Sequence, residues 1–192
     1  MNKPTAAVSV TENMKDFYER VEKIKNLEHR VIVKLSYIIG ARVGELIQIR
    51  KSNCAFNRDS MIISRTILKV KGRPVEPTEI SAKDRFVQEI KDFVLKVKES
   101  NHYIFPFRHY VFGCLVVEDP TRHISARQVE RIVSVEMGTW PHYLRHMRFT
   151  HVAPHMRSTF EMRTFTHHRS EGALNTYIHL MPGIYRDRLP VG

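Results

Sequence analysis

The chain has 192 residues, 42% hydrophobic and 27% charged, which excludes a disordered, collagen-like or mucin-like polymer and suits one folded domain. Lysine and arginine number 31 against 20 aspartate and glutamate, a formal charge of +11 with a pI near 9.9. That excess points to a polyanionic partner, either nucleic acid or an anionic membrane surface.

In chain order, Met14, Phe17, Val21, Ile24 and Leu27 recur at steps of three and four and predict a helix over 12–27. A second helix is expected over 28–39, punctuated by Gly40, and a third over 42–49 with Arg42 and Glu45 one turn apart. The Ile-rich segment 60–70 reads as a strand, Lys71-Gly72 as a turn, and 73–80 as a returning strand. Pro74 and Pro77 confine that return to a sheet edge. Ser81 is placed to cap a long amphipathic helix reaching residue 97. Residues 103–123 fit short strands or a buried loop equally well. Ser125 and Gln128 have capping-box spacing before a helix that Gly138 ends. Pro141 suits the first turn of the next helix and Pro154 its end. Further helices are expected over 158–166 and 171–180, with Pro182 just beyond. The fold class is therefore α+β, mainly α with one small antiparallel β-hairpin.

Cys54 and Cys114 are the only cysteines and show no CxxC spacing, which supports neither a disulfide framework nor a cysteine zinc site. Two such thiols fit a reducing cytosol, and both are expected to be small core residues. The start of the chain lacks the apolar stretch of a secretory signal. The best apolar run, 31–41, is interrupted by Lys34 and falls short of the ~20 residues of a membrane span. A soluble, cytoplasmic protein without a membrane partner is expected.

Several polar residues sit where a core pattern would not place them. His142 and Arg145 share a helix face. His168 and Tyr177 lie near the C-terminus, Arg42 follows Gly40, and Lys69 and Lys71 flank the predicted hairpin tip. Singly, each has an ordinary explanation in surface pairing, packing or solvation. The pairs His142/His146 and His151/His155 have zinc-like spacing, but neither carries the Glu of HExxH and Pro154 interrupts the second. No metal and no cofactor is expected.

Taken together, the fragments IGARVGELIQI, YLRHMRFTHV and ALNTYIHL resemble the TGxRxGEL, LRHxxATH and TxxxYxH segments of the tyrosine recombinase (phage integrase) family. His168 and Tyr177 follow Arg145 at the family's intervals, and the resemblance spans Arg42 to His179. It implies a single catalytic domain over 1–192 without the family's amino-terminal DNA-clamping domain, acting on double-stranded DNA, as a tetramer on paired sites. Two departures stand out. His167 replaces the glycine that commonly precedes the second histidine, so His167 or His168 could face the phosphate, with spacing favouring His168. The lysine could be Lys69, by family register, or Lys71, by turn geometry.

The resemblance implies catalytic roles for Arg42, Lys69 or Lys71, His142, Arg145, His168 and Tyr177. Guanidinium matches phosphate bidentately, so Arg42 and Arg145 would hold the non-bridging oxygens, with Glu45 orienting Arg42. Their charge favours deprotonation of Tyr177, the nucleophile that forms a 3′-phosphotyrosyl bond. His142 and His168 would hydrogen-bond the phosphate, His142 being the better proton acceptor, and the lysine would protonate the departing 5′-hydroxyl. Arg50, Lys51, Arg127, Arg131, Arg148, Arg157, Arg163 and Arg169 are candidates for sequence-independent backbone contacts. The expected activity is metal- and ATP-independent site-specific DNA recombination. A DNA-relaxing topoisomerase, whose counterpart of His142 is usually lysine, and a basic DNA-binding module with lapsed catalysis are the alternatives.

Overall fold

The structure, a computed structural model, describes residues 13–68, 72, 74–167 and 171–181. Asn13 opens helix α1 (Met14–Glu22) by accepting a hydrogen bond from the Asp16 N–H at 2.9 Å, a cap worth about 1 kcal/mol. The single helix expected over 12–27 is cut after Glu22. Asn26 provides a second cap, accepting from the His29 N–H at 3.1 Å, and starts α2 (Leu27–Ile38). From Val31 to Ile38 every residue of α2 is buried, because α1, α4 (Val87–Leu95), α5 (Ala126–Met137) and α6 (Pro141–Val152) all pack on it. A segment covered on all sides needs no polar stripe, which is why residues 31–38 are apolar apart from Lys34 and Ser36.

Lys34 is the one charged residue within the buried part of α2. Its Nζ lies 2.7 Å from Glu22 and 2.6 Å from Glu89, and Arg30 holds Glu89 from the other side at 2.5 Å. The network ties α1, α2 and α4 together.

The helix expected over 42–49 contracts to one turn, α3 (Val43–Leu46). The sheet that follows is larger than the expected hairpin. β1 (Cys54–Phe56), β2 (Ser60–Thr66) and β3 (Val75–Ser81) form an antiparallel sheet in that order, and β3 is the edge strand that its prolines predict. Met61, Ile63 and Arg65 turn toward the core while Ile62, Ser64 and Thr66 are only half-buried, the period-two alternation of a one-sided sheet. Ser81 does not cap a helix. It pairs with Ser60 as the last residue of β3, Asp84 accepts from the Phe86 N–H at 3.0 Å, and α4 begins only at Val87.

Residues 103–123, undecided from sequence, form mainly a two-stranded ribbon, β4 (Pro106–Val111) and β5 (Cys114–His123). Its two-residue tip, Phe112-Gly113, has positive φ at both positions, 50° and 80°, as a type I′ hairpin turn requires. The outer half of the ribbon projects from the body, so Cys114 is exposed rather than a core residue; Cys54 is half-buried against the core. Ser125 caps α5 through the Gln128 N–H, and Gly138 ends it at φ 63°. After α6, α7 (Thr159–Thr166) and α8 (Asn175–Ile178) enclose a smaller apolar cluster of Phe149, Ala153, Met162, Leu174, Tyr177 and Met181. The mainly helical α+β class holds, with a three-stranded sheet and a separate ribbon where one hairpin was expected. Among the described residues no helix is long and apolar enough to cross a membrane.

Candidate active site

The site is built on the C-terminal end of α2. Gly40 leaves that helix at φ 54°, and a Cβ there would lie 2.7 Å from Cε1 of the Phe149 ring, so both conformation and space demand glycine. The turn delivers Arg42 to the start of α3. Glu45, 1% exposed, accepts from the Arg42 backbone N–H at 3.1 Å and from Arg42 Nη1 at 2.9 Å. Backbone and guanidinium are thus held by one carboxylate.

Two more arginines reach the same place. Arg145, on α6, donates through Nη1 to the Gly40 carbonyl and through Nη2 to the Thr166 carbonyl at 2.7 Å, and its guanidinium lies 4.5 Å from the Phe149 ring centroid. Arg65, on β2, donates through Nη1 to the Ile39 carbonyl at 2.8 Å and lies 4.0 Å from Glu45. Both guanidiniums thus meet the carbonyl end of α2, where the helix dipole favours cations. The positive charge is far from neutralised. Burial, with Arg42 and Arg65 nearby, pulls the pKa of Arg145 down to about 9, which leaves it charged at neutral pH. Burial likewise draws Arg65 down to about 10, with Glu45 opposing. Arg65 Nε and Nη2 are buried without a hydrogen-bond partner among the described residues, an arrangement that costs about 1–3 kcal/mol per orphaned group.

The second half of the site comes from α6 and α8. His142 is exposed near the start of α6, and its ring stands at 88° to that of His146 one turn on, with centroids 4.6 Å apart. Tyr177, on α8, is 2% exposed, and its hydroxyl meets His146 Nδ1. Burial raises the phenol's pKa to about 12 against the pull of Arg145. Burial and Arg145 together lower that of His146. At neutral pH the phenol therefore keeps its proton and the imidazole beside it is uncharged.

His167 ends α7 in the left-handed region, φ 53°. The conformation explains why glycine suits this position; a side chain there costs about 1 kcal/mol. His167 offsets that cost by contacting the Glu76 carboxylate on β3. His168, Lys69 and Lys71 lie outside the described residues. So does Arg169; of the other backbone-contact candidates, Arg127, Arg131, Arg157 and Arg163 are exposed. Arg50, Lys51 and Arg148 are occupied within the fold: Arg50 donates to the Tyr103 hydroxyl at 2.7 Å, Lys51 donates to the Val97 carbonyl, and Arg148 lies 5.3 Å from the Tyr37 ring centroid.

The structure thus brings Arg42, Glu45 and Arg145 together, and Tyr177 with His146 beside His142. It adds two residues that sequence reasoning missed. Arg65 could have been found as the one charge on the core-facing alternation of β2. His146 was weighed only as half of a metal pair; among the described residues no three metal-ligating side chains gather.

A mainly helical domain with basic residues from α3, β2 and α6 around a buried tyrosine defines the class of protein. Residues 9–183 match the phage integrase family, and the chain belongs to that family. It is 25% identical over 174 residues to the tyrosine recombinase XerC of Staphylococcus aureus, covering 90% of this chain and 56% of that relative; the chain thus spans little more than half of the relative's length. Its fold is similar to that of the XerA recombinase, with a TM-score of 0.64 at 19% identity over 92% of this chain and 62% of the other. It is also similar to the XerH site-specific recombinase in a post-cleavage complex with palindromic difH substrate, with a TM-score of 0.61 at 17% identity over 86% of this chain and 47% of the other.

Proposed function

We propose that this protein is a site-specific DNA recombinase that cuts and rejoins double-stranded DNA through Tyr177. The observation that carries the reading is the surplus of positive charge around Glu45. Arg42 and Arg65 pair with this one buried carboxylate, Arg145 lies within its electrostatic reach, and Arg65 Nε and Nη2 have no hydrogen-bond partner among the described residues. A phosphodiester supplies the missing negative charge. Arg42 and Arg145 hold its non-bridging oxygens, with His142 and His168 as further donors, and stabilise the charge that grows in the pentavalent transition state.

In the chemical step the Tyr177 oxygen forms a bond to phosphorus and the bond from phosphorus to the 5′-oxygen breaks. The phenolic proton passes to His146, whose Nδ1 the hydroxyl already meets. Because Tyr177 is 2% exposed, α8 shifts when the phosphate is engaged. The departing 5′-oxygen takes a proton from Lys69 or Lys71 at the β2–β3 turn. The 3′-phosphotyrosyl bond retains the phosphodiester energy, so a 5′-hydroxyl of a second strand can reverse the step without ATP. Assembly as a tetramer on paired sites belongs to the same reading, since strand exchange needs two duplexes side by side.

The test uses nicked duplexes of randomised sequence, which trap a covalent intermediate by losing the 5′-hydroxyl fragment. The wild type is expected to give a protein–DNA adduct stable on a denaturing gel, and Tyr177→Phe none. DNA binding without any adduct from the wild type, or an adduct that survives Tyr177→Phe, overturns the proposal.

A further inference from the structure

The chain's single tryptophan stands where a helix would not ask for one. Trp140 is the residue before α6, with extended φ/ψ and no side-chain cap, in a position where Ser, Thr, Asp or Asn would add about 1 kcal/mol. Its indole is 51% exposed, leaning on Tyr143 at 5.6 Å between ring centroids. Neither helix initiation nor core packing accounts for it.

Trp140 lies between two cavities: a smaller one of about 380 Å³ shared with Tyr143, and one of about 720 Å³ whose lining also includes Arg42 and His142. Beyond those two basic groups the near walls are apolar, made by Val43, Leu68, Pro141 and Trp140, while Glu130 and Ser134 stand on the α5 side. We infer that this cavity is a subsite for a deoxynucleoside flanking the scissile phosphate, with Trp140 as the platform on which it packs. The inference rests on the strand-transfer reading above. A phosphodiester held at Arg42 and His142 carries a nucleoside on each side, and one of them must lie over whatever adjoins those residues. The C–H face of deoxyribose and the face of a base both match an apolar wall with an exposed aromatic ring, and every base offers such a face. Glu130 repels phosphate and accepts hydrogen bonds from exocyclic amino groups, which orients the nucleoside with its phosphate toward Arg42. Trp140 is a positioning residue: it touches the substrate away from the reacting atoms and sets where the phosphorus sits relative to Tyr177.

Because Trp140 is the only tryptophan, the intact chain's fluorescence reports on this ring alone. Binding of a labelled, nicked mixed-sequence duplex is followed by anisotropy while acrylamide quenching reads the exposure of Trp140. Bound DNA is expected to shield the indole severalfold, whereas inorganic polyphosphate, which has neither sugar nor base, leaves it open. In adduct assays Trp140→Ala is expected to lose on the order of tenfold in rate, and Trp140→Phe to recover most of it. DNA bound with Trp140 as accessible as in the free protein, or equal shielding by polyphosphate, sinks the subsite and leaves the recombinase reading standing. Failure of the wild type to form a Tyr177 adduct removes that reading, and the subsite with it.

Discussion

Lys34 and Arg65 are both cations sealed inside the domain, and their surroundings are opposite. Lys34 meets Glu22 and Glu89, Arg30 meets Glu89 as well, and the Phe86 ring centroid lies 4.9 Å from the ammonium. Two cations face two carboxylates, and the network is closed. Around Glu45 two guanidiniums pair with one carboxylate, a third, Arg145, lies near them, and Arg65 Nε and Nη2 have no partner among the described residues. Burying charge is costly unless it is paired and hydrogen-bonded. The first cluster therefore fastens helices. The second carries a deficit that an anion would fill, and it sits beside the tyrosine.

The largest expected effect separates the two clusters by chemistry. Arg145→Ala should slow adduct formation on nicked DNA by about 10²- to 10³-fold in single-turnover assays, the cost of losing one preorganised donor to a transition-state charge. Lys34→Ala should leave the rate per folded molecule unchanged. If Arg145→Ala stays fully active, Arg145 is not in the site.

Next comes stability, where the order reverses. Lys34→Ala leaves Glu22 unpaired and Glu89 with Arg30 alone, and should lower the free energy of unfolding in urea by about 1–3 kcal/mol. Arg65→Met replaces a poorly satisfied cation by an apolar chain of similar length. It should be neutral or mildly stabilising without DNA, yet weaken DNA cleavage. A large loss of stability in Arg65→Met would show that the two clusters are alike after all.

The smallest effect lies in the acid limb of stability. His146 has its pKa lowered in the fold, by burial and then Arg145, so the unfolded chain binds a proton near pH 6.5 that the folded one refuses, and stability falls as the pH drops through that range. For Glu89, burial pushes the pKa up, but hydrogen bonds from Arg30 and Lys34 outweigh it and leave the value low. Its contribution is present above the ordinary glutamate range and disappears as pH falls through the folded value. Urea midpoints measured against pH should therefore decline in two stages. His146→Ala should shrink the upper stage, to which His167, also lowered by burial, contributes as well, and Glu89→Gln should shrink the lower; stages untouched by both would contradict the assignments.

Much of this was legible in the linear sequence, for local reasons. Helical periodicity, Ser125 as a cap and Gly138 as a stop depend on residues within a turn or two, and the elements built on them appear where expected. Arg42, Arg145 and Tyr177 stand in short motifs that carry their own context. Helical periodicity hid a competing local signal at Asn26, whose cap starts a new helix, and a longer-range contact won at Ser81, which pairs with Ser60 across β2 and β3 instead of capping α4. Cys114 resembled a core residue by composition, but its strand projects away from anything that could bury it.

What the sequence by itself determined is the inventory: a basic, mainly helical domain of the phage integrase family with its arginines and tyrosine in order along the chain. Only the tertiary structure decided the wiring, in which Arg65 joins the guanidinium cluster, His146 meets the Tyr177 hydroxyl and His167 turns to Glu76. The physical reason is that charge balance, desolvation and hydrogen-bond satisfaction are summed over groups far apart in sequence. Glu45 and Arg65 are close only because β2 lies beneath the end of α2, and no local pattern encodes that distance.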